Sequence, residues 1–396
     1  MTIEYRVPKE DERERVGDVL QSAFGSAPAM RQRFASAARL ELYLCAYEDD
    51  RVLATSMSHP LLQHFGGNAV PCAGIAAVAV RPDTRGRAVG GELVAELIRR
   101  RRAAGDLISA LFPATVAVYR KLGYEMGGFF TELSAPLRAL PRTGGEDVEL
   151  STTRDDSSLR EIRECFRRFA PTQSGPLWFE DEGWWRHRVL RISDPDVVPH
   201  VVVATGPDGV EGYACYGRGE RAGFGIDPAC THLVSLTRRA GAALLGYFGG
   251  FHSVGETVTW HGPPNEPLAL LLAESRSVTQ TFEFRWMSRI LDVPRALEAR
   301  GYPAVDGECV ITVDDPLFPE NAGPFRIESN GGKVTVSPAD GPAEGAIPVG
   351  LLSALYTGYL SAFDLVRLGA IGEDDPAVPV LGRLFAGPPP WSPDFF

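Results

Sequence analysis

Residues 73–100, AGIAAVAVRPDTRGRAVGGELVAELIRR, set an apolar run against a loop holding Arg85, Gly86 and Arg87, with Gly90-Gly91 at the start of a helix. This spacing suits an anion. Glycine lets a backbone come close to a ligand. The first amides of a helix have no internal partners and lie at the positive end of its dipole. Together they can cradle a pyrophosphate, and Arg85 and Arg87 can add charge-assisted hydrogen bonds. An ordinary solvated helix cap has the same look, so the loop alone does not decide. The next stretch, LISALFPATVAVYRKLGYE at 107–125, adds a short apolar strand, a short helix bearing Tyr119, and then Leu122-Gly123-Tyr124.

The surrounding pattern says which elements must position these groups. A helix is predicted over 10–24, a hairpin over 40–47 and 52–59 with its turn at 48–50, and a strand over 70–80. A helix over 90–104, a strand over 107–112, a short helix over 115–122 and a strand over 126–133 complete a first segment. This mixed order reads as an α/β sandwich. A linker rich in Pro, Gly and Arg follows at 135–147. The second segment repeats the order: a helix over 157–169, a hairpin over 200–205 and 210–217 around Gly206-Pro207-Asp208-Gly209, a strand over 231–236, a helix over 239–248 and a strand over 256–261. It reads as a degenerate internal duplication. Its TRRAG at 237–241 echoes the first loop, but no tyrosine motif follows, so no second site of this kind is expected. Trp178, Trp184 and Trp185 could line a substrate wall or serve as core anchors. A third segment, from about 287, carries strands over 308–313, 324–329 and 333–338, helices over 348–357 and 362–368, and a proline-rich tail, AGPPPWSPDFF.

Bulk properties narrow the function classes. A chain of 396 residues exceeds what one hydrophobic core usually supports. The boundaries drawn are 1–135, 136–286 and 287–396. The formal net charge of −11 disfavours nucleic acid as a partner and is compatible with a cationic substrate, although simple solubility is the better explanation of charge alone. No apolar run is long enough to span a membrane. The charged N-terminus lacks the apolar core of a signal peptide, so a cytoplasmic location is expected. The six cysteines are scattered and the seven histidines dispersed, so no metal site is expected.

Residues 78–91 and 119–124 resemble the GCN5-related N-acetyltransferases (GNATs), whose pattern is a strand, an R/Q-x-x-G-x-G/A loop, a helix, a strand, and a helix ending in a motif like YxKLGF. The resemblance implies acetyl-CoA lying between two splayed parallel strands. Backbone groups of the strand at Val78, Ala79 and Val80 would meet the pantetheine arm. The amides of Arg85, Gly86, Arg87, Ala88, Val89, Gly90 and Gly91 would hold the pyrophosphate. Ala88 stands where the pattern has its first glycine. The whole chain resembles the Eis (enhanced intracellular survival) family of aminoglycoside and multi-lysine N-acetyltransferases, and 287–329 resembles the start of that family's sterol-carrier-protein-like domain. The implied fold is α+β: two GNAT-like domains in tandem, the second degenerate, and a C-terminal sterol-carrier-protein-like domain.

The resemblance also implies roles. Tyr119 would be the general acid, since a tyrosine with a pKa near ~10 stays protonated at neutral pH; the alternative is a core tyrosine, and Tyr124 is its neighbouring rival. The chain's own terminal carboxylate, on Phe396, would enter the site as base or proton relay. Phe395 stands where the family carries an acidic residue. The expected reaction moves acetyl from acetyl-CoA to a primary amine of a cationic, aminoglycoside- or polyamine-like molecule. A protein or peptide lysine acetyltransferase and a non-catalytic CoA- or lipid-binding protein are the alternatives. The family resemblance further implies a hexamer of paired trimers.

Overall fold

The computed structural model describes residues 3–25, 39–142, 145–191, 199–219, 225–340 and 345–396. The first helix begins as a 3-10 turn, Glu10–Glu12, and runs on as Arg13–Phe24. Gly25 ends it in the left-handed conformation, φ +64°, which glycine adopts without strain. Its apolar face, Val16 and Val19, packs on Tyr43, Cys45, Tyr47 and Ala79. The hairpin follows as Tyr43–Glu48 and Arg51–Phe65. Gly66 and Gly67, both at positive φ, turn the chain into the strand Asn68–Val80. The helix Val89–Ala103, the strand Ile108–Leu111, the short helix Val116–Arg120 and the long strand Glu125–Pro136 come next.

The second segment repeats this order. A helix, Leu159–Phe169, precedes the hairpin His200–Gly206 and Gly209–Arg218, the strand Pro228–Ser235, the helix Arg238–Gly249 and the strand Thr257–His261. The two segments do not form separate sheets. Among the described residues they share one 13-stranded sheet, joined by an exchange of strands. Thr279–Ile290 crosses back and pairs antiparallel with Ile108–Leu111, from Met287↔Leu111 to Ile290↔Ile108. Its other edge pairs with Glu125–Pro136. That strand in turn pairs with Thr257–His261 of the second segment, from Thr257↔Pro136 to His261↔Glu132. The strand Thr279–Ile290 was not predicted from sequence, and it crosses the line drawn at 286/287.

The third segment opens with the helix Val293–Ala299, capped by Asp292, which accepts from the Arg295 amide at 3.2 Å. A four-stranded sheet follows, in the order Lys333–Pro338, Gly323–Asn330, Gly307–Asp314, Ile347–Pro348. The helices Val349–Thr357, Ala362–Arg367 and Ala377–Leu384 cover it, the last absent from the sequence prediction. A buried ion pair ties the strand Thr279–Ile290 to this segment: Arg289 Nη2 donates to Asp315 at 2.7 Å, both side chains wholly buried. The same guanidinium donates to the Leu122 carbonyl. Gly123, next to it, has φ +82°, and a Cβ there would lie 2.8 Å from Val349. The Leu122-Gly123-Tyr124 motif therefore needs its glycine for both conformation and space.

Candidate active site

The strands Asn68–Val80 and Ile108–Leu111 pair in parallel from Cys72↔Ile108 to Ile75↔Leu111 and then part. The cause is local. Against Arg51–Phe65 the register steps from Met57↔Ala76 to Thr55↔Ala79, so Ala77 and Val78 oppose the single residue Ser56. This is a β-bulge, which bends its strand and leaves ladder groups unpaired. Ala77 takes φ +51° within it, and Thr55 Oγ1 donates to the Ala77 carbonyl at 3.0 Å. Beyond the bulge lies a cleft of about 870 Å³, bounded by Val78, Ala79 and Val80 on one strand and by Ala114, Thr115 and Tyr119 across from it.

Arg85, Gly86, Ala88, Val89, Gly90 and Gly91 line the same cleft. Ala88 is the N-cap of Val89–Ala103, and its φ of +59° is the left-handed conformation that glycine would supply. The alanine thus keeps the loop path of the glycine pattern, at a backbone cost of ~1–2 kcal/mol. The two helix glycines differ in purpose. A Cβ at Gly90 would meet Val80 Cγ2 at 2.8 Å, whereas one at Gly91 would project into open space. Gly90 lets the helix pack on the strand, and Gly91 leaves room for a ligand at the helix start. Arg87 is not on the cleft wall; its Nη2 donates to Glu48 at 2.6 Å. Lys121, which sequence reading did not single out, stands with Arg85 on the wall. The arrangement offers an anion two cations and a helix N-terminus.

Tyr119, only 8% exposed, rides the short helix Val116–Arg120. Burial raises its pKa above the usual tyrosine value, so it holds its proton across the neutral and mildly alkaline range. Tyr124 is differently placed. Its hydroxyl lies 2.7 Å from Ser109 Oγ, which itself donates to the Ala73 carbonyl at 2.9 Å. The Tyr124 proton therefore goes to Ser109 within the core.

The tail is docked along its length. The Phe129 amide donates to the Pro390 carbonyl at 2.9 Å, Trp391 to Ser174 at 2.8 Å, and Ser392 back to Phe129 at 3.0 Å. Phe395 lies against Phe112, ring centroids 4.3 Å apart. The buried Phe396 ring lies over Gly74, where an added Cβ would come within 3.0 Å of it. Gly74 pairs with Ala110, one step before the two parallel strands part. The last residue of the chain and the opening between the strands are thus brought together.

Beside Phe396, among the described residues, lies a second cavity of about 970 Å³, bounded by His59, Trp178, Phe179, Asp181, Trp184 and Arg188. Phe179 and Trp184 stack at 3.8 Å. All three tryptophans are buried in the core, and Trp178 and Trp184 also border this cavity while Trp185 does not. His59, whose ring centroid is 6.3 Å from that of Phe396, was missed by sequence reading because nothing local marks it. Burial, with the charges of Arg188 and Arg39, pushes its pKa down to about 4, so it is neutral near pH 7.

In the second segment the loop equivalent to 85–91 is occupied internally. Glu211, 1% exposed, accepts from Thr237 Oγ1 at 2.6 Å and from Arg239 Nε at 2.7 Å, where the helix Arg238–Gly249 begins. A carboxylate of the chain itself stands at this helix N-terminus.

Comparison with known proteins agrees with this geometry. The model of the GNAT acetyltransferase domain matches residues 4–127, and a second GNAT acetyltransferase domain model matches 180–290. A sterol carrier protein domain model matches 293–393. An uncharacterized N-acetyltransferase of Streptomyces avermitilis is 28% identical over 373 residues, covering 89% of this chain and 88% of that protein. The N-acetyltransferase Eis of Mycobacterium tuberculosis is 28% identical over 322 residues, covering 78% of this chain and 76% of that one. A crystal structure of a GCN5-related N-acetyltransferase from Anabaena variabilis superposes over 100% of both chains with a TM-score of 0.93 and 26% identity.

Proposed function

We propose that this chain, which belongs to the Eis-like GNAT N-acetyltransferases, moves acetyl from acetyl-CoA to a primary amine of a cationic small molecule, with Tyr119 as general acid and the Phe396 carboxylate as base. The observation that carries the reading is the convergence of three parts at one bulged strand: the anion cradle of 85–91, the buried Tyr119 and the docked chain terminus. Val78, Ala79 and Val80 would hold the pantetheine arm. The amides of 85–91, with Arg85 and Lys121, would hold the pyrophosphate; Arg87 would act through Glu48 on the loop's path. The acceptor would enter by the cavity beside His59, where the aromatic faces favour a cation and the carboxylates of Asp106, Glu180 and Asp181 stand against Arg39, which pairs with Asp181 at 3.0 Å, and Arg188.

The neutral amine nitrogen attacks the thioester carbonyl, the C–S bond breaks, and the departing sulfur takes the Tyr119 proton. The surplus proton on nitrogen passes to the Phe396 carboxylate, directly or through water. A neutral His59 adds no repulsion toward the incoming amine. In this reading 1–135 is the catalytic unit, 136–286 a degenerate one and 287–396 the carrier-protein-like unit that supplies the tail. The working assembly is a cytoplasmic homo-oligomer, the hexamer implied by family resemblance, which sedimentation velocity would read.

Thiol release from acetyl-CoA, followed over spermidine, an aminoglycoside and a lysine peptide, tests the reaction and ranks the acceptors. Tyr119→Phe is expected to lower kcat by ~10²–10⁴-fold while calorimetry shows acetyl-CoA binding intact. Residues appended after Phe396 are expected to abolish turnover. Unchanged turnover in either variant removes that group from its role, and no release with any amine leaves a CoA-binding protein without catalysis.

A further inference from the structure

The tail is held at a second point that the mechanism above does not use. Asp394, 6% exposed, places Oδ1 at 3.3 Å from His232 Nε2 and 3.4 Å from Trp184 Nε1. His232, 1% exposed, has its other ring nitrogen 2.9 Å from the hydroxyl of Tyr213, which is wholly buried. A carboxylate only accepts, so Nε2 carries the hydrogen toward Asp394, and the other ring nitrogen shares its hydrogen bond with the Tyr213 hydroxyl. The rings of Phe166 and Trp185, with centroids 5.3 and 5.9 Å from that of His232, fix the imidazole plane. Every group of this network except Asp394 belongs to the second segment.

From these contacts we propose that the second segment serves catalysis as the socket of the chain terminus: the Tyr213–His232–Asp394 chain of hydrogen bonds, with Trp184, fixes where the Phe396 carboxylate stands, which makes His232 and Asp394 positioning residues. The proposal rests on the terminal-carboxylate reading above.

Reach shows why a second anchor matters. The tail's last backbone-to-backbone bond to the body of the protein is at Ser392, beyond which the Asp394 amide bonds only the neighbouring Ser392 Oγ, at 3.2 Å. Four residues beyond that point could sweep ~13 Å, whereas two residues beyond a fixed Asp394 sweep ~7 Å, less the packing of their rings. Misplacement of a reacting group by ~1 Å can cost 10²-fold in rate. The second segment takes part in both anchors: Trp391 bonds Ser174 and, through Nε1, Gln173 at 3.2 Å, beside the bonds of Pro390 and Ser392 to Phe129 of the first segment, and Asp394 bonds His232 and Trp184. The segment whose own anion loop is filled by Glu211 thus has a task at the neighbouring site.

The test uses the full chain. Asp394→Ala and His232→Phe remove the acceptor and the donor, and the aromatic surroundings of His232 accommodate the phenyl ring. Both are expected to lower kcat by ~10- to 100-fold, measured with spermidine or whichever amine of the panel turns over fastest. The KM for acetyl-CoA should stay at its wild-type value, since the 85–91 loop is untouched. Asp394→Asn still accepts, and the His232→Gln amide nitrogen reaches where Nε2 stood, so each should recover most of the rate. Carboxypeptidase supplies a readout independent of activity: release of Phe396 should be slow in wild type and fast in the Ala and Phe variants. A tail that stays resistant, with unchanged kcat in Asp394→Ala and His232→Phe, overturns the socket. Deletion of Phe396 alone separates the two ideas. Full activity after that deletion removes the carboxylate reading, and the positioning role with it, whatever the carboxypeptidase result. Loss of activity there, beside an active, protease-resistant Asp394→Ala, removes only the socket.

Discussion

Ala88 shows how one residue can depart from a motif and keep its geometry. Its backbone sits at φ +59° although its side chain disfavours that region. Ala88→Gly removes the clash and adds ~0.4–1 kcal/mol of chain entropy to the unfolded state. The net expectation is a gain of about 0.5–1 kcal/mol, read as a higher urea midpoint at unchanged slope. A loss of stability would mean that the strain is absent. The same residue marks what was legible. Glycine spacing and the strand-to-helix turn reveal an anion cradle because each position acts through its own backbone. They could not reveal Arg87's partner Glu48, 39 positions away, or that Thr55 bonds the bulge at Ala77. His59 and His232 become readable only once the fold brings Phe396 and Asp394 to them.

At the scale of the element, the helix Arg238–Gly249 and its carboxylate give a titration. The Arg239 hydrogen bond, helped by Thr237, holds Glu211 at about 2, below its ordinary range. A carboxylate whose folded pKa is depressed contributes its stability fully above the unfolded value, near ~4.3, and loses it as pH falls through the folded one. Glu211→Gln should therefore lower the urea midpoint at pH 6, and its gap from wild type should close between pH ~4.3 and about 2. A gap that is constant over that window would show that the ion pair contributes nothing. Most elements were legible at this scale, since apolar periodicity and Gly/Pro punctuation are local. Thr279–Ile290 was the exception. Its Phe282, Phe284 and Trp286 alternate as a strand should, but the segment reads equally as the approach to the third domain, and no pattern names a strand's neighbour.

The whole molecule depends on that exchange. Ile108–Leu111 has Asn68–Val80 on one side and Thr279–Ile290 on the other. Residues 1–135 expressed alone would carry the loop and Tyr119 but leave an open hydrophobic edge, and such edges seek other chains. The expectation is an aggregated product by size exclusion, rescued by coexpression with 136–396. A monomeric, cooperatively melting fragment would show that the first sheet is complete without its borrowed strand. The three-part architecture itself follows from composition and repeats; the fusion of two sheets into one does not, because it rests on pairings between residues far apart in sequence.

The exchange also sets a timetable. During synthesis Glu125–Pro136 leaves the ribosome about 150 residues before Ile290 does. At 5–20 residues per second the first half waits roughly 8–30 s for the strand that closes it. The first sheet keeps an exposed edge throughout that interval, and the second joins it only near the end, once Thr257–His261 has emerged. The cell must shelter this chain longer than one whose domains finish in turn.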